Sequence, residues 1–193
     1  MSSLIINKTI SFIKNHSDYS NTELNKIRYG IEGVYLTITK IIVVLLIGIL
    51  FRYTDVIILM LLFFNILRFF AFGLHAKKSW QCLILSILGF NILPLIFMKT
   101  GTSSSFLIII GIISIVSFLL FAPSDTEKRP LTNARKRFIR KVLSIIVGTI
   151  YIILAFKIKY LMIPIVCSLI IESIMINPIC YRILGLKYRN YKK

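Results

Sequence analysis

The sequence predicts an all-α, polytopic integral membrane protein with about six transmembrane helices and with its N- and C-termini in the cytoplasm. Two observations support this fold class. Hydrophobic residues make up 57% of the 193-residue chain, and they are concentrated in long runs. Basic residues exceed acidic residues by 17 and lie mainly in the connections between those runs. Such a distribution is typical of the positive-inside bias of membrane proteins.

Six apolar runs are the candidate membrane spans. A helix needs roughly 20 residues, within a range of about 17 to 25, to cross the hydrocarbon core of a bilayer. The third and fifth runs have only 16 and 15 residues, so they must include flanking residues, thin the bilayer or insert partway. Four spans plus re-entrant segments are the alternative. The runs are Tyr35–Phe51, Val56–Leu74, Leu83–Met98, Ser105–Ala122, Val142–Phe156 and Tyr160–Asn177.

The segment before the first run is polar and lacks the basic start and apolar core of a cleavable signal peptide. Its apolar residues recur at helical spacing, which predicts two amphipathic helices on the cytoplasmic membrane surface, the second capped by Asn21 or Thr22. We therefore expect a single membrane domain over residues 1–193. It would comprise a cytoplasmic amphipathic segment (1–34), a transmembrane bundle (35–177) and a basic cytoplasmic tail (178–193).

The distribution of Lys and Arg predicts the orientation. With six spans, 18 of the 24 basic residues lie in the termini and in the connections 74–82 and 123–141, and only 4 lie on the opposite side. The positive-inside bias then places the larger group in the cytoplasm. The prediction is a multi-pass protein of the cell membrane whose 74–82 connection faces the cytoplasm, where the reducing environment keeps Cys82 reduced.

The short connection 74–82 contains a histidine and a cysteine that suit nucleophilic catalysis. A thiolate is the reactive form of cysteine, and a nearby imidazole such as His75 commonly generates it. On one continuous helix His75 and Cys82 would lie about 10 Å apart along the axis, so a catalytic pair requires a break in the helix. Gly73 favours such a break. If the next helix begins near Ser79, its dipole and the adjacent lysines would favour the thiolate.

Chemistry alone leaves other functions open. A cysteine at the start of a membrane helix is often a small apolar filler. A transporter that exports a small peptide, or a membrane scaffold, would need no His–Cys pair. The chain has no Gly-rich phosphate loop and no metal-ligand cluster, so we expect no cofactor and no metal. The basic stretch Lys128–Lys141 has seven cations and almost no interleaved aromatic residues. We therefore expect no nucleic-acid binding, and anionic lipid headgroups are its simplest contact.

Two motifs carry a resemblance to a known family. The first is Gly73-Leu-His75-Ala-Lys, followed by Cys82 and preceded by Arg68 late in an apolar run. The second is Ala122-Pro-Ser-Asp-Thr-Glu-Lys-Arg-Pro-Leu131, directly after the fourth run. Together they resemble the accessory gene regulator B (AgrB) family, which are membrane-embedded cysteine endopeptidases of Gram-positive bacteria.

The resemblance implies a specific reaction. Such enzymes cut the C-terminal part from a short AgrD-like quorum-sensing propeptide and help to close its thiolactone or lactone ring. The catalytic pair would be His75 and Cys82, with Arg68 and Gly73 in supporting roles. A homodimer is also implied. An acidic propeptide tail would dock on basic residues of the two polar connections, namely Lys77, Lys78, Lys128, Arg129, Arg135, Lys136 and Arg137.

Three charged residues have more than one interpretation. Arg68 could bind a substrate carboxylate, orient a helix end, pair with Glu172 or extend to the membrane surface. The other candidate partner of Glu172 within the spans is Lys40. Asp125 could orient His75 as a third catalytic residue, or cap the basic segment that follows it.

The charge count leads to a topology prediction. In right-side-out cells, cysteines introduced near Ser79 and Lys136 should be protected from a membrane-impermeant reagent. Cysteines introduced near Thr54, Gly101 and Lys157 should be labelled, because these connections are the ones with few basic residues. Labelling of the 74–82 connection from outside would contradict both the six-span topology and the cytoplasmic site.

Overall fold

The computed structural model describes residues 7–13, 19–74, 79–126 and 130–190. The chain divides into two compact units, Met1–Leu46 and Ile47–Lys193. In the described ranges the regular structure is helical, apart from isolated bridge residues such as Phe72 and Ser124, which form a parallel bridge. The all-α prediction is therefore confirmed. The single domain and its three segments stay a prediction.

The N-terminal region contains a short helix, α1, over residues 7–13 and the start of a long helix, α2 (Asn21–Leu50). Ser20 caps α2 with Glu23 in a capping box, since the Glu23 carboxylate accepts the Ser20 N–H at 2.9 Å. The predicted cap at Asn21 or Thr22 is thus one or two residues late. The predicted second amphipathic helix is also not separate from the first span. With no proline between residues 21 and 50, the chain continues as one helix.

Seven further α-helices and one π-helical turn follow in the described part of the chain. The π-helical turn Leu88–Ile92 joins α4 to α5, so that the two helices form one candidate span, Trp80–Lys99, of 20 residues. The fifth candidate span has 24 residues. Both short apolar runs therefore reach spanning length by including flanking residues. The bounds are α3 (Thr54–Ala71), α4 (Ser79–Ile87), α5 (Leu93–Lys99), α6 (Ser104–Phe121), α7 (Ala134–Lys157), α8 (Lys159–Ile176) and α9 (Pro178–Ile183).

Six helices in the described part of the chain are long and apolar enough to cross a membrane, as the sequence predicts. Helix α8 is the central one in the second unit and packs against α3, α6 and α7. Within its span 56% of residues are buried, against 33% or fewer in the other five spans. Two polar side chains, Ser168 and Glu172, are fully buried on α8. The Ser168 hydroxyl lies 3.0 Å from the carbonyl oxygen of Met60 on α3.

Small residues allow the helices of the second unit to approach closely. A Cβ atom placed on Gly148 of α7 would lie 3.3 Å from the Phe118 ring of α6 and 3.4 Å from Ile115. Glycine at such positions lets two membrane helices pack at short distance, which is a main source of helix association in lipid. The contact between α6 and α7 therefore depends on the absence of a side chain at Gly148.

This packing leads to a stability prediction. Gly148→Leu should lower the unfolding midpoint of the detergent-purified protein, because overpacking a tight contact costs about 1–3 kcal/mol. The matched control is Gly33→Leu in α2, where no described atom lies within 4 Å of the added Cβ. Thermal unfolding of both variants measures the difference. Equal midpoints would show that the α6–α7 contact does not require glycine.

Candidate functional site

The predicted cysteine lies at the start of a helix, as expected. Helix α4 begins at Ser79, and Cys82 is its fourth residue, half-buried, with its carbonyl oxygen accepting the Ser86 hydroxyl at 2.9 Å. His75, Lys77 and Lys78 lie outside the described residues. The helix before the connection ends at Ala71, so the chain does not run as one helix through the connection to Cys82. The chain is therefore already non-helical at residues 72–74, directly before His75.

Gly73 occupies a position that other residues tolerate poorly. Its φ angle is +109°, in the region that favours glycine, and the preceding Phe72 also has a positive φ of 64°. A Cβ atom on Gly73 would lie 2.6 Å from Nη1 of Arg68 and 3.2 Å from the Met175 carbonyl oxygen. Both the backbone angle and the surrounding atoms therefore require glycine here, which gives a physical reason for this residue in the first motif.

The two sequence motifs meet in space. The Gly73 N–H donates to the Ser124 carbonyl at 2.8 Å, and the Ser124 N–H donates to the Ala71 carbonyl at 3.0 Å. The Ser124 hydroxyl lies 2.8 Å from the carbonyl oxygen of Ile176 at the end of α8. We call Phe72–Leu74 and Ala122–Asp125 together the motif junction. Backbone hydrogen bonds therefore join the two motifs directly.

Arg68 connects the motif junction to α8. Its Nη1 lies 3.5 Å from Oε2 of Glu172, and its Nη2 donates to the carbonyl oxygens of Gly73, at 3.4 Å, and of Leu74. Nη1 also lies 3.2 Å from the Met175 sulphur. Two of the interpretations of Arg68 are therefore combined, since it pairs with Glu172 and orients the chain at the end of α3. Leu74, whose carbonyl it holds, directly precedes His75.

Asp125 is buried and has a structural role in the described residues. Its Oδ2 accepts the Leu131 N–H at 3.2 Å, and its Oδ1 accepts the Asn190 N–H at 3.0 Å. It therefore binds the segment that follows it, in line with the capping interpretation. The N-cap of α7 itself is Asn133, whose Oδ1 accepts the Lys136 N–H at 3.0 Å. The contact with the C-terminal tail is new relative to the sequence analysis.

Sequence reasoning missed two residues that support the motif junction from the C-terminal side. The Tyr181 hydroxyl of α9 lies 3.2 Å from the carbonyl oxygens of both Ser124 and Asp125. Burial raises the pKa of this hydroxyl, so that it stays protonated and able to donate. The Asn190 side chain donates to the Lys187 carbonyl at 2.9 Å, which folds the tail on itself. No local pattern in the basic tail signals either role.

Arg140 is a third residue that sequence reasoning missed. Its Nη1 donates to the Phe69 carbonyl at 2.6 Å, and its guanidinium lies 4.4 Å from the centroid of the Phe72 ring. A cation over an aromatic face is stabilising. Arg140 belongs to the basic stretch, which composition alone assigns to lipid or substrate contact. In the structure it holds the last turn of α3 and the first residue of the motif junction.

The predicted substrate-docking cations that the structure describes fall into two groups, exposed and cavity-lining. Arg135 and Lys136 are exposed on the first turn of α7, whereas Lys128 and Arg129 lie outside the described residues. Arg137 instead lines a cavity of about 290 Å³. The other cations of the cavity wall are Lys141 and Arg189, neither of which the sequence analysis singled out.

The fold and the motif junction define a polytopic α-helical membrane protein whose two motifs meet at the ends of its helices. The accessory gene regulator B family model matches residues 6–176, and the chain belongs to that family. Membership supports a role in the accessory gene regulator quorum-sensing system. The resemblance found in the sequence motifs is thereby confirmed.

Named relatives agree with the family assignment. An AgrB-like protein of Clostridium acetobutylicum is 34% identical over 183 residues, covering 93% of this chain and 87% of the relative. One of Listeria innocua is 31% identical over 177 residues, covering 87% and 83%. The accessory gene regulator protein B of Staphylococcus carnosus is 32% identical over 134 residues, covering 69% and 70%. No solved structure matches the chain.

The Arg68–Glu172 pair leads to a prediction for stability. Arg68→Leu should destabilise the protein by about 3–5 kcal/mol, because it leaves the buried Glu172 carboxylate without its cation. The double variant Arg68→Leu/Glu172→Leu should recover part of that loss, since no unpaired charge remains. Unfolding midpoints of both single variants and the double variant measure the coupling. Simple additivity would contradict a direct ion pair.

Proposed function

We propose that this protein is a membrane-embedded cysteine endopeptidase that cleaves the C-terminal part from a short, AgrD-like autoinducer propeptide. The meeting of the two motifs carries the proposal. Arg68 and the backbone of Ser124 hold Gly73 and Leu74, the two residues directly before His75. Cys82 lies in the first turn of the next helix. This arrangement supports a site built between a fixed α3 end and the start of α4, and the distribution of Lys and Arg favours a site that faces the cytoplasm.

The first step of the proposed reaction forms a thioester. His75 accepts the thiol proton of Cys82, and the resulting thiolate attacks the carbonyl carbon of the scissile peptide bond. The C–N bond then breaks, and the protonated His75 gives its proton to the departing amine. The C-terminal part of the propeptide leaves with a free amino group. The remainder stays attached to Cys82 as a thioester.

The second step closes the ring. A thiol or hydroxyl within the bound peptide attacks the thioester carbonyl, its proton passes to His75, and the Cys82 thiolate leaves and is protonated again. A thiol nucleophile exchanges one thioester for another, so ring closure needs no separate energy source. Intramolecular attack is favoured because proximity supplies effective molarities of about 10⁵ M or more. A site at the membrane edge helps to keep water from the thioester.

Arg68 and Gly73 act as positioning residues in this proposal. Arg68 holds the Leu74 carbonyl, and Glu172 in turn holds Arg68, so both charges act on His75 through the backbone. Gly73 permits the turn that places His75 after the end of α3. Asp125 has both carboxylate oxygens bonded to backbone N–H groups, which supports a role in fixing the motif junction instead of orienting the imidazole.

The acidic tail of the propeptide is proposed to dock on the exposed cations at the start of α7. Arg135 and Lys136 are exposed there and carry two adjacent positive charges. Lys77, Lys78, Lys128 and Arg129 belong to the same basic connections and would extend this surface. Opposite charges on a polar rim act mainly on association rate and weaken with added salt. The homodimer implied by the family resemblance stays a prediction.

The chemistry leads to a direct prediction. Cys82→Ala should abolish cleavage of a co-expressed propeptide, and His75→Ala should lower its rate by about 10²–10⁴-fold, because general-base assistance contributes that much. The matched control is Cys180→Ala, another half-buried cysteine, in α9. Immunoblots of the propeptide and of membrane-inserted enzyme measure both quantities. Full cleavage by the Cys82 variant would rule out the proposed nucleophile.

A further inference from the structure

A cavity lies beside the motif junction. The cavity of about 290 Å³ is bounded by residues 122–125, by the first turns of α7 and by the C-terminal tail. Arg137 and Lys141 face it from α7, and Arg189 faces it from the tail. The three cations come from two segments more than forty positions apart in the sequence. The fold, and not local sequence, therefore assembles this group.

The described walls of the cavity attract anions. Asp125 is the one acidic residue among the described lining residues, against three cations. Both oxygens of its carboxylate already accept backbone N–H bonds, from Leu131 and from Asn190. The Asp125 carboxylate is therefore already engaged by backbone N–H groups. Clustered cations in a partly enclosed site focus positive potential, which favours a compact anionic group such as a phosphate.

The position of the cavity relative to the spans suits a lipid. Helix α7 has 24 residues and is about 36 Å long, at 1.5 Å per residue, which exceeds the roughly 30 Å hydrocarbon core. Its apolar run begins only at Val142, so the cations before Val142 lie at the end of the span, near headgroup depth. Two lining residues are large, apolar and exposed: Phe138 is 67% exposed and Leu120 is 60% exposed. A cationic cavity with an apolar margin matches an amphiphilic anion.

We infer that this cavity binds the phosphate of an anionic phospholipid, with the acyl chains lying along Phe138 and Leu120. The volume is small and suits one headgroup better than an extended peptide segment. Arg135 and Lys136, by contrast, are exposed and do not line the cavity. They belong to the proposed peptide-docking face. The lipid site is independent of the proposed protease activity.

The tail is built to present Arg189 at this site. The neighbouring Asn190 is anchored to Asp125 through its backbone N–H, and the Arg189 guanidinium lies 5.5 Å from the centroid of the Tyr188 ring. Arg189 itself has a φ of +58°, a conformation that asparagine tolerates well. Arg189→Asn therefore removes the charge while keeping the backbone conformation.

The test uses the full-length protein in a neutral detergent. Added dioleoyl phosphatidylglycerol should raise the unfolding midpoint and should be retained at about one molecule per chain in native mass spectrometry, whereas dioleoyl phosphatidylcholine should not. Lys141→Gln/Arg189→Asn should weaken phosphatidylglycerol binding about tenfold or more. The matched control Arg135→Gln/Lys136→Gln removes the same charge and should bind normally. If the first variant fails to fold, Lys141→Gln and Arg189→Asn are measured separately.

Three outcomes would contradict the lipid site. Equal weakening by both double variants would show general attraction to basic surface. An equal midpoint shift from inorganic phosphate at the same concentration would assign the cavity to a free anion. Displacement of phosphatidylglycerol by a peptide with an acidic tail would assign it to the peptide. Loss of propeptide cleavage in the Arg135/Lys136 variant, with lipid binding unchanged, supports the lipid site and separates the two surfaces.

Discussion

The need to satisfy one cation inside a helical bundle organises the second unit. Burying a guanidinium is costly unless it is paired and hydrogen-bonded, and Arg68 meets that need with Glu172 and with the carbonyl oxygens of Gly73 and Leu74. Those partners lie on α8 and on the connection after α3, so one side chain fixes both. Gly73 follows from the same constraint, because its missing Cβ leaves room for the Arg68 Nη1.

The pairing explains why the most buried helix carries two buried polar side chains. Helix α8 has the highest buried fraction of the six candidate spans. In a bilayer, lipid-facing surfaces must be apolar, whereas polar side chains find partners only inside the bundle. Ser168 and Glu172 meet that requirement through α3. Polarity within a span therefore indicates interior position, the reverse of its meaning in a water-soluble core.

The sequence predicts the local features of this fold well. Long apolar runs require helices, and the glycine before a polar connection indicates where α3 ends, so that Cys82 lies in the first turn of another helix. The long-range features could not be predicted from one sequence. Gly73 and Ser124 are 51 positions apart, and nothing local in either motif specifies that they bond to each other. Tyr181, Asn190 and Arg140 contribute through contacts of the same kind, so their types and spacing carry no signal.

The basic stretch illustrates the same limit at the level of single residues. Composition treats its cations as one group, but packing separates them. Arg140 binds the end of α3, Arg137 lines a cavity, and Arg135 and Lys136 stay exposed. Helical geometry produces this separation, since each residue in a helix turns about 100° from the previous one. Adjacent residues in sequence thus face different partners.

Ser124 is part of both the motif junction and the wall of the cavity. Its backbone bonds Ala71 and Gly73, while the same residue forms part of the cavity wall. Any molecule that binds the cavity only when this strand-like segment is in place must stabilise the paired arrangement, and by thermodynamic linkage the paired arrangement must strengthen its binding to the same degree. Through the bonds at Ser124, a molecule bound in the cavity would therefore stabilise the segment that precedes His75.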